Sequence, residues 1–250
     1  MKKLAIVGLQ LAVLLFLICG QAWADTKRIE GTTNMDDAGL RSNDADANNG
    51  AATYARVGYE NSGDIRHAVV RVKNVASELG ENATITACVC SLYITQTAIY
   101  TYDIYAYRIF KPWTETGATW NDWVTTDYEW GTAGCMNADD GGSDNSGDGT
   151  GADRKETAES SVEFNGDELN TWQAWSVSAE LAQAWYDETA NEEGLLFRTT
   201  ATEDGYRMIF LTTEHTDDPT KCPHFTFTYT TDGDGVDKPR KNIMSGGIVR

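Results

Sequence analysis

HFTFTYT (His224–Thr230) places Phe225, Phe227 and Tyr229 on one side of an extended chain and Thr226, Thr228 and Thr230 on the other. Side chains of a strand alternate between faces, so a period of two marks a half-buried strand. The same period recurs in HAVVRVKNV, ATITACVCSLYIT, YTYDIYAYRIF, GLLFRTT and YRMIFLTT. These runs are rich in β-branched and aromatic residues and are separated by Gly, Asn, Asp and Pro clusters. Such composition favours strands joined by turns. One stretch, SVSAELAQAWYDETAN, has a helical pattern. Ser178 is placed to cap it, Leu181, Ala184 and Trp185 share a side, and Gly194 follows its end. Many strands, one short helix and frequent turns predict an all-β, antiparallel β-sandwich of jelly-roll type with long acidic loops.

The chain of 250 residues opens with a basic Met1-Lys2-Lys3, an apolar run from Leu4 to Ile18, and Ala22-Trp23-Ala24. That order predicts a secretory signal peptide over 1–24, too short to span a bilayer and cleaved after Ala24. The expected mature protein is secreted, extracellular or held at the cell surface. Its organisation reads as a single domain over 25–231, interrupted by an acidic loop insertion at 134–168, and a tail or linker over 232–250. Formal net charge is −18, and loss of Lys2 and Lys3 takes it to −20. A surface so negative repels phosphate backbones and anionic lipid, which disfavours nucleic-acid and membrane partners.

Four cysteines follow the signal: Cys88, Cys90, Cys135 and Cys222. An oxidising compartment makes disulfides the expectation. Cys88 and Cys90 lie two apart in one strand and are poorly placed to bridge each other, so one is expected to reach Cys135 and the other Cys222. Three acidic clusters suit a hard cation, which needs several oxygens on a sharply turning backbone. They are Asp44, Asp46 and Asn48; Asp144, Asp148 and Asp153; and Asp232, Asp234 and Asp237. Calcium is the expected cofactor.

KPWTETGATWNDW (Lys111–Trp123) holds three tryptophans in thirteen residues. Here the sequence resembles the secreted β-sandwich family named for its DNRLRE signature, which is related to disaggregatase repeats and similar to carbohydrate-binding module family 96. The family's W-x-E…TWN box is matched by Trp113, Glu115, Thr119, Trp120 and Asn121. An Arg-led strand and an A-x-I-x-x-A strand precede it, in RHAVVRVKNVASELGENATITACVCSLYIT. The blocks WSVSAELAQAWYDETANEEGLLFRTT and CPHFTFTY follow in the family's order, so the resemblance covers roughly residues 32–230. It implies that Trp113 and Trp120 pack between the sheets and that Glu115 and Asn121 tie down the turn.

Trp123, Tyr128 and Trp130 lie beyond the box among Asp and Thr and are the candidates for display to a glycan. The chain contains no G-x-S-x-G, H-E-x-x-H or phosphate-binding Gly-rich loop, so a non-catalytic role is expected. Tyr105, Tyr107 and Arg108 are the nearest approach to a lyase set. Two partners follow: an extracellular polysaccharide or glycan, bound in adhesion, or other copies of the chain in a filament, sheath or matrix.

Overall fold

The computed structural model describes residues 24–60, 63–124, 128–139, 151–189 and 193–231. Nearly all of the expected signal peptide, the expected tail and the middle of the acidic insertion lie outside the described residues. Among the described residues, thirteen strands carry the fold. They are β1 (Asp25–Glu30), β2 (Met35–Arg41), β3 (Tyr54–Glu60), β4 (Asp64–Val72), β5 (Ala83–Thr97), β6 (Tyr102–Arg108) and β7 (Asp122–Val124). There follow β8 (Tyr128–Glu129), β9 (Ser160–Phe164), β10 (Thr171–Val177), β11 (Leu195–Arg198), β12 (Arg207–Leu211) and β13 (His224–Thr231). Two helices interrupt them, α1 (Val75–Leu79) and α2 (Ala179–Tyr186).

All named pairings in the main sheet are antiparallel, in the order β1-β13-β5-β12-β3-β4-β11-β6-β9, with β10 added to β5 and β2 added to β4. The long β5 explains how one sheet makes two layers. Ser91 pairs with His224 of β13 on one side and Ala174 of β10 on the other. Ile94 keeps β10 on that second side but has Phe210 of β12 in place of β13. β12 then pairs with β3, and β3 with β4, which carries the sheet round a corner. The result is a sandwich with β1-β13-β5-β10 in one layer and β2-β4-β11-β6-β9 in the other.

The main core lies between the layers. Ile85, Cys88, Cys90, Leu92, Ile94, Phe225 and Phe227 meet Ala68, Val70, Ile104, Leu195, Phe197 and Phe164 across it. Trp175 sits among them, its indole N–H donating to the Ile104 carbonyl at 2.9 Å. The alternation read from β13 is borne out: Phe225 and Phe227 are buried and Tyr229 packs on the same core. α2 also forms where expected. The Ser178 side chain accepts the Leu181 N–H, and Leu181, Ala182 and Trp185 are the buried residues.

A second core covers the outer face of the β2-β4-β11-β6-β9 layer. Leu40, Val69, Tyr107, Ile109 and Leu196 form its floor, and Trp113, Trp123, Trp130 and Cys135 lie on top. This corrects the expected position of Trp113. It is fully buried, but on the outside of a sheet, not between the two. Val69 and Leu196 show why the sequence runs apolar on both faces there. A sheet covered on both sides loses its polar alternation.

The 134–168 insertion is not simply a solvated loop. Residues 160–164 are β9, paired along β6, and Ala152, Asp153 and Arg154 are buried. The cysteines also depart from expectation: Cys88, Cys90, Cys135 and Cys222 are all free and buried. Cys88 and Cys90 face the inner core, whereas Cys135 lies in the outer one, with a sheet between them. Cys222 sits by the turn after β12, its Sγ 3.4 Å from the His215 carbonyl. Alternation along β5 sends both of its thiols inward and away from either intended partner.

Candidate functional site

Loops at one end of the sandwich carry three of the large apolar side chains that are exposed among the described residues. Ile99 is 81% exposed and Tyr100 50%, both in the β5–β6 connection, and Leu169 is 51% exposed in the β9–β10 connection. The two loops touch. Gly166 has φ +101°, and a Cβ there would meet the Ile99 Cα at 3.2 Å, so glycine lets the connections close on each other.

Tyr100 stacks on Tyr206, ring centroids 5.1 Å apart and planes inclined by 17°. Tyr206 in turn meets the buried Tyr102 edge-on at 5.7 Å. Burial raises the Tyr102 phenol above its usual pKa, so it stays neutral, with its hydroxyl 3.2 Å from that of Thr97. An exposed ring is thus anchored through a half-buried one to the core, which limits the entropy lost when something binds it.

Beside this stack lies an open cleft of about 390 Å³ lined by Glu60, Gln96, Ile99, Tyr100, Asp204 and Arg207, among others. Its charged floor is ordered. Glu60 is buried and accepts from Arg56 at 2.8 Å and Arg207 at 2.8 Å, with Arg66 at 3.0 Å. The cleft is open to solvent, and its lining sets Ile99 and Tyr100 beside polar and charged side chains.

A second aromatic group lies on the outward face of the β1-β13-β5-β10 layer. Trp172 of β10 is 37% exposed and opposite Tyr93 of β5, with centroids 5.4 Å apart. His224 packs against its ring at 4.6 Å. The Arg28 guanidinium lies 5.7 Å from the Trp172 centroid and the Lys221 ammonium 5.0 Å from that of Tyr93. Each cation has a carboxylate partner, Glu30 and Asp218, so the patch is close to neutral in an acidic protein.

The residues singled out from the sequence are placed differently. Trp123 and Trp130 are buried in the outer core, and the Trp130 indole N–H donates to the Thr119 carbonyl at 3.0 Å. Neither is displayed. Tyr128 is exposed, its ring 5.0 Å from that of Trp123. Tyr105 and Tyr107 lie on the outer face of β6, while Arg108 belongs to the opposite face and pairs with Glu159 at 3.2 Å. The three do not form one site.

The Asp/Asn cluster at 44–48 works as a clasp on the tryptophan box. The Asn48 amide donates to the Glu115 carbonyl at 2.7 Å and the Ala118 carbonyl at 2.8 Å. Asp46 accepts from the Asn121 amide at 2.7 Å. Glu115 and Asn121 do tie down the turn: Glu115 accepts the Asp37 N–H at 3.1 Å. Asp153, expected in a loose calcium set, is a buried hub. Its carboxylate accepts main-chain N–H bonds from Gly131 at 2.7 Å, Asn137 at 3.0 Å and Thr132 at 3.1 Å. Burial raises its pKa, and those three donors oppose the rise. Asp144, Asp148, Asp232, Asp234 and Asp237 lie outside the described residues. Among the described residues, no group of three or more His, Cys, Asp or Glu side chains converges as a metal centre.

Sequence reading missed Tyr100, Tyr206, Tyr93 and Trp172. Tyr93 and Trp172 sit at ordinary outward positions of strands, and Tyr100 and Tyr206 lie in loops 106 residues apart. No local pattern links them.

The fold and this end together define an antiparallel sandwich with an aromatic-rimmed cleft. No family model matches the chain, and no curated protein matches it either.

Proposed function

We propose that the chain is a secreted, non-catalytic module that binds extracellular glycan, with its ligand at the loop end bearing Tyr100, Tyr206 and the cleft beside them. The carrying observation is the anchored Tyr100–Tyr206 stack bordering a cleft of about 390 Å³ with an ordered polar floor. Sugar rings present apolar C–H faces that lie flat on aromatic rings, while hydroxyls need fixed donors and acceptors such as Arg207, held by Glu60. The Trp172–Tyr93 patch extends the aromatic surface. A net charge of −20 favours a neutral or cation-bridged polysaccharide over a bare polyanion. The secretory leader, the DNRLRE-like blocks and calcium in the acidic loops belong to the same reading.

Native gel electrophoresis of the mature chain through immobilised neutral glycans tests it. Retardation is expected for the parent. Tyr100→Ala or Trp172→Ala should weaken it about tenfold, equivalent to about 1.4 kcal/mol. Tyr100 is half exposed in a loop, so the melting temperature of its variant should hold, whereas Trp172→Ala also loses ring contacts with His224 and Tyr93. No retardation by any glycan, or full retention by Tyr100→Ala, overturns the reading.

One observation favours a structural role instead. β1 pairs with β13 on one side and has no partner strand on its other edge among the described residues. Open edges are templates for strand addition. A subunit assembling through that edge or through residues 232–250 would form large species by light scattering, and deletion of the tail would change their size.

A further inference from the structure

Arg198 ends β11 directly opposite Tyr105 of β6, and Tyr105 is in turn opposite Ser161 of β9. Side chains so paired across antiparallel strands stand about 5 Å apart, so the three form one row on the outer face. Tyr105 is half-buried against the second core, and Ser161 at the end of the row is exposed. Tyr107 lies beside the row, its ring 6.1 Å from that of Tyr105. Over Tyr107 lies the Arg154 guanidinium, 4.3 Å from the ring centroid.

These two arginines differ from others in the chain. Arg41, Arg56, Arg66, Arg71, Arg108 and Arg207 each hold a carboxylate. Arg154 and Arg198 hold none among the described residues, although Asp and Glu outnumber Lys and Arg by 38 to 20. The Nε of each is buried without a hydrogen-bond partner. Arg154 is 7% exposed and donates through one Nη to the Lys155 carbonyl at 2.9 Å. Arg198 is half-buried. Burial, then the charge of Arg154, pulls the Arg198 guanidinium below its usual pKa. Asp103 accepts the Tyr105 hydroxyl at 3.5 Å and pairs with neither arginine. Two like charges thus act on each other with no anion between them, and a bound oxyanion relieves that repulsion.

A guanidinium fork matches the paired oxygens of a carboxylate or a sulfate ester, and an aromatic ring beside it offers a face to the sugar that carries the group. We propose that Arg198 and Arg154, with the Tyr105 ring, bind the anionic substituent of a glycan, a carboxylate or a sulfate ester. In naming a glycan as the carrier this rests on the reading above, whereas the oxyanion site itself does not. The strongly acidic surface repels a densely charged polymer, so the fitting partner carries isolated acidic groups.

The test titrates mature chain, free of phosphate and sulfate, with methyl glucuronide, glucose 6-sulfate and uncharged methyl glucoside. The Arg198 Nε–H resonance, binding heat and melting temperature are followed. At least one anionic sugar should shift the resonance and raise the melting temperature, while methyl glucoside does neither. The tighter of the two names the anion. Arg198→Gln should weaken binding about tenfold. Having lost a like charge beside Arg154, it should melt no lower than the parent without ligand. Arg198→Lys keeps the charge without the fork and should fall between the two, which provides a milder variant. No response to either anionic sugar, or equal binding by parent and Arg198→Gln, overturns the site. Tyr100→Ala should bind the anionic sugars as the parent does, so failure of the glycan cleft and failure of this site are read separately.

Discussion

His67 is a buried neutral imidazole with a structural duty. Its Nδ1 donates to the Gly134 carbonyl at 2.8 Å, and its ring lies 5.1 Å from that of Trp120. Gly134 has φ +80°, and a Cβ there would meet the Trp120 ring at 2.7 Å, so any other residue would separate the three. Burial pulls the His67 pKa down from 6.5 to about 3. The unfolded chain thus takes up a proton near pH 6.5 that the native chain refuses until about pH 3. Stability from neutral His67 is complete above pH 6.5 and drains as pH falls, by about 3 kcal/mol at pH 4. Asp37 acts in the opposite sense, because its raised pKa favours the native state as it protonates. Urea unfolding of the parent and of His67→Gln at pH 7 and pH 4 separates the two. The variant should lose less stability on acidification, and equal losses would show that His67 does not carry the effect.

At the scale of elements, the tryptophan box is a lid nailed to the outer face of a sheet. Trp113 donates its indole N–H to the Glu193 carbonyl at 2.7 Å, and the Arg71 guanidinium lies 5.0 Å from its ring centroid. The 44–48 segment closes the box from outside through Asn48 and Asp46. Asn48→Ala removes the donor to two partly solvated box carbonyls and should cost about 0.5–1.5 kcal/mol in denaturant unfolding. Trp130→Ala should cost about 3–5 kcal/mol, as expected for a large buried ring. A Trp130→Ala protein that melts like the parent would contradict the outer core.

For the whole molecule, the sandwich closes because β12 and β3 link β5, the spine of one layer, to β4, the spine of the other. Its cysteines are distributed across two cores and a turn and are free and buried. Burial raises the thiol pKa of Cys90 and Cys135 well above the usual value, which suppresses the reactive thiolate. A thiol reagent should find little to react with in the native mature chain and four thiols after denaturation without reductant. Two or none after denaturation would mean that disulfides form and that the strand register differs.

Local pattern in the chain was enough for the class of fold, the strands at β5 and β13, and the cap of α2 with Leu181 and Trp185 on its buried side, where Ala182 rather than Ala184 completes the contact. Each is a local matter of side-chain alternation, helical spacing or a capping hydroxyl. Which face each strand turns to which layer, and so which tryptophans are covered, follows from sheet order and register. Trp123 and Trp130 sit among polar neighbours in the chain yet lie on the apolar floor supplied by Leu40, Val69 and Leu196. The same holds for the acids: Asp153 has the neighbours of a solvated loop but is buried by main-chain donors from residues 131–137. Tyr100 and Tyr206 meet because β6 and β12 follow loops at one end of a curled sheet, and Asp37 and Glu214 because both hang on Thr213. Contacts between segments more than a hundred residues apart depend on sheet order and register, which no local period encodes.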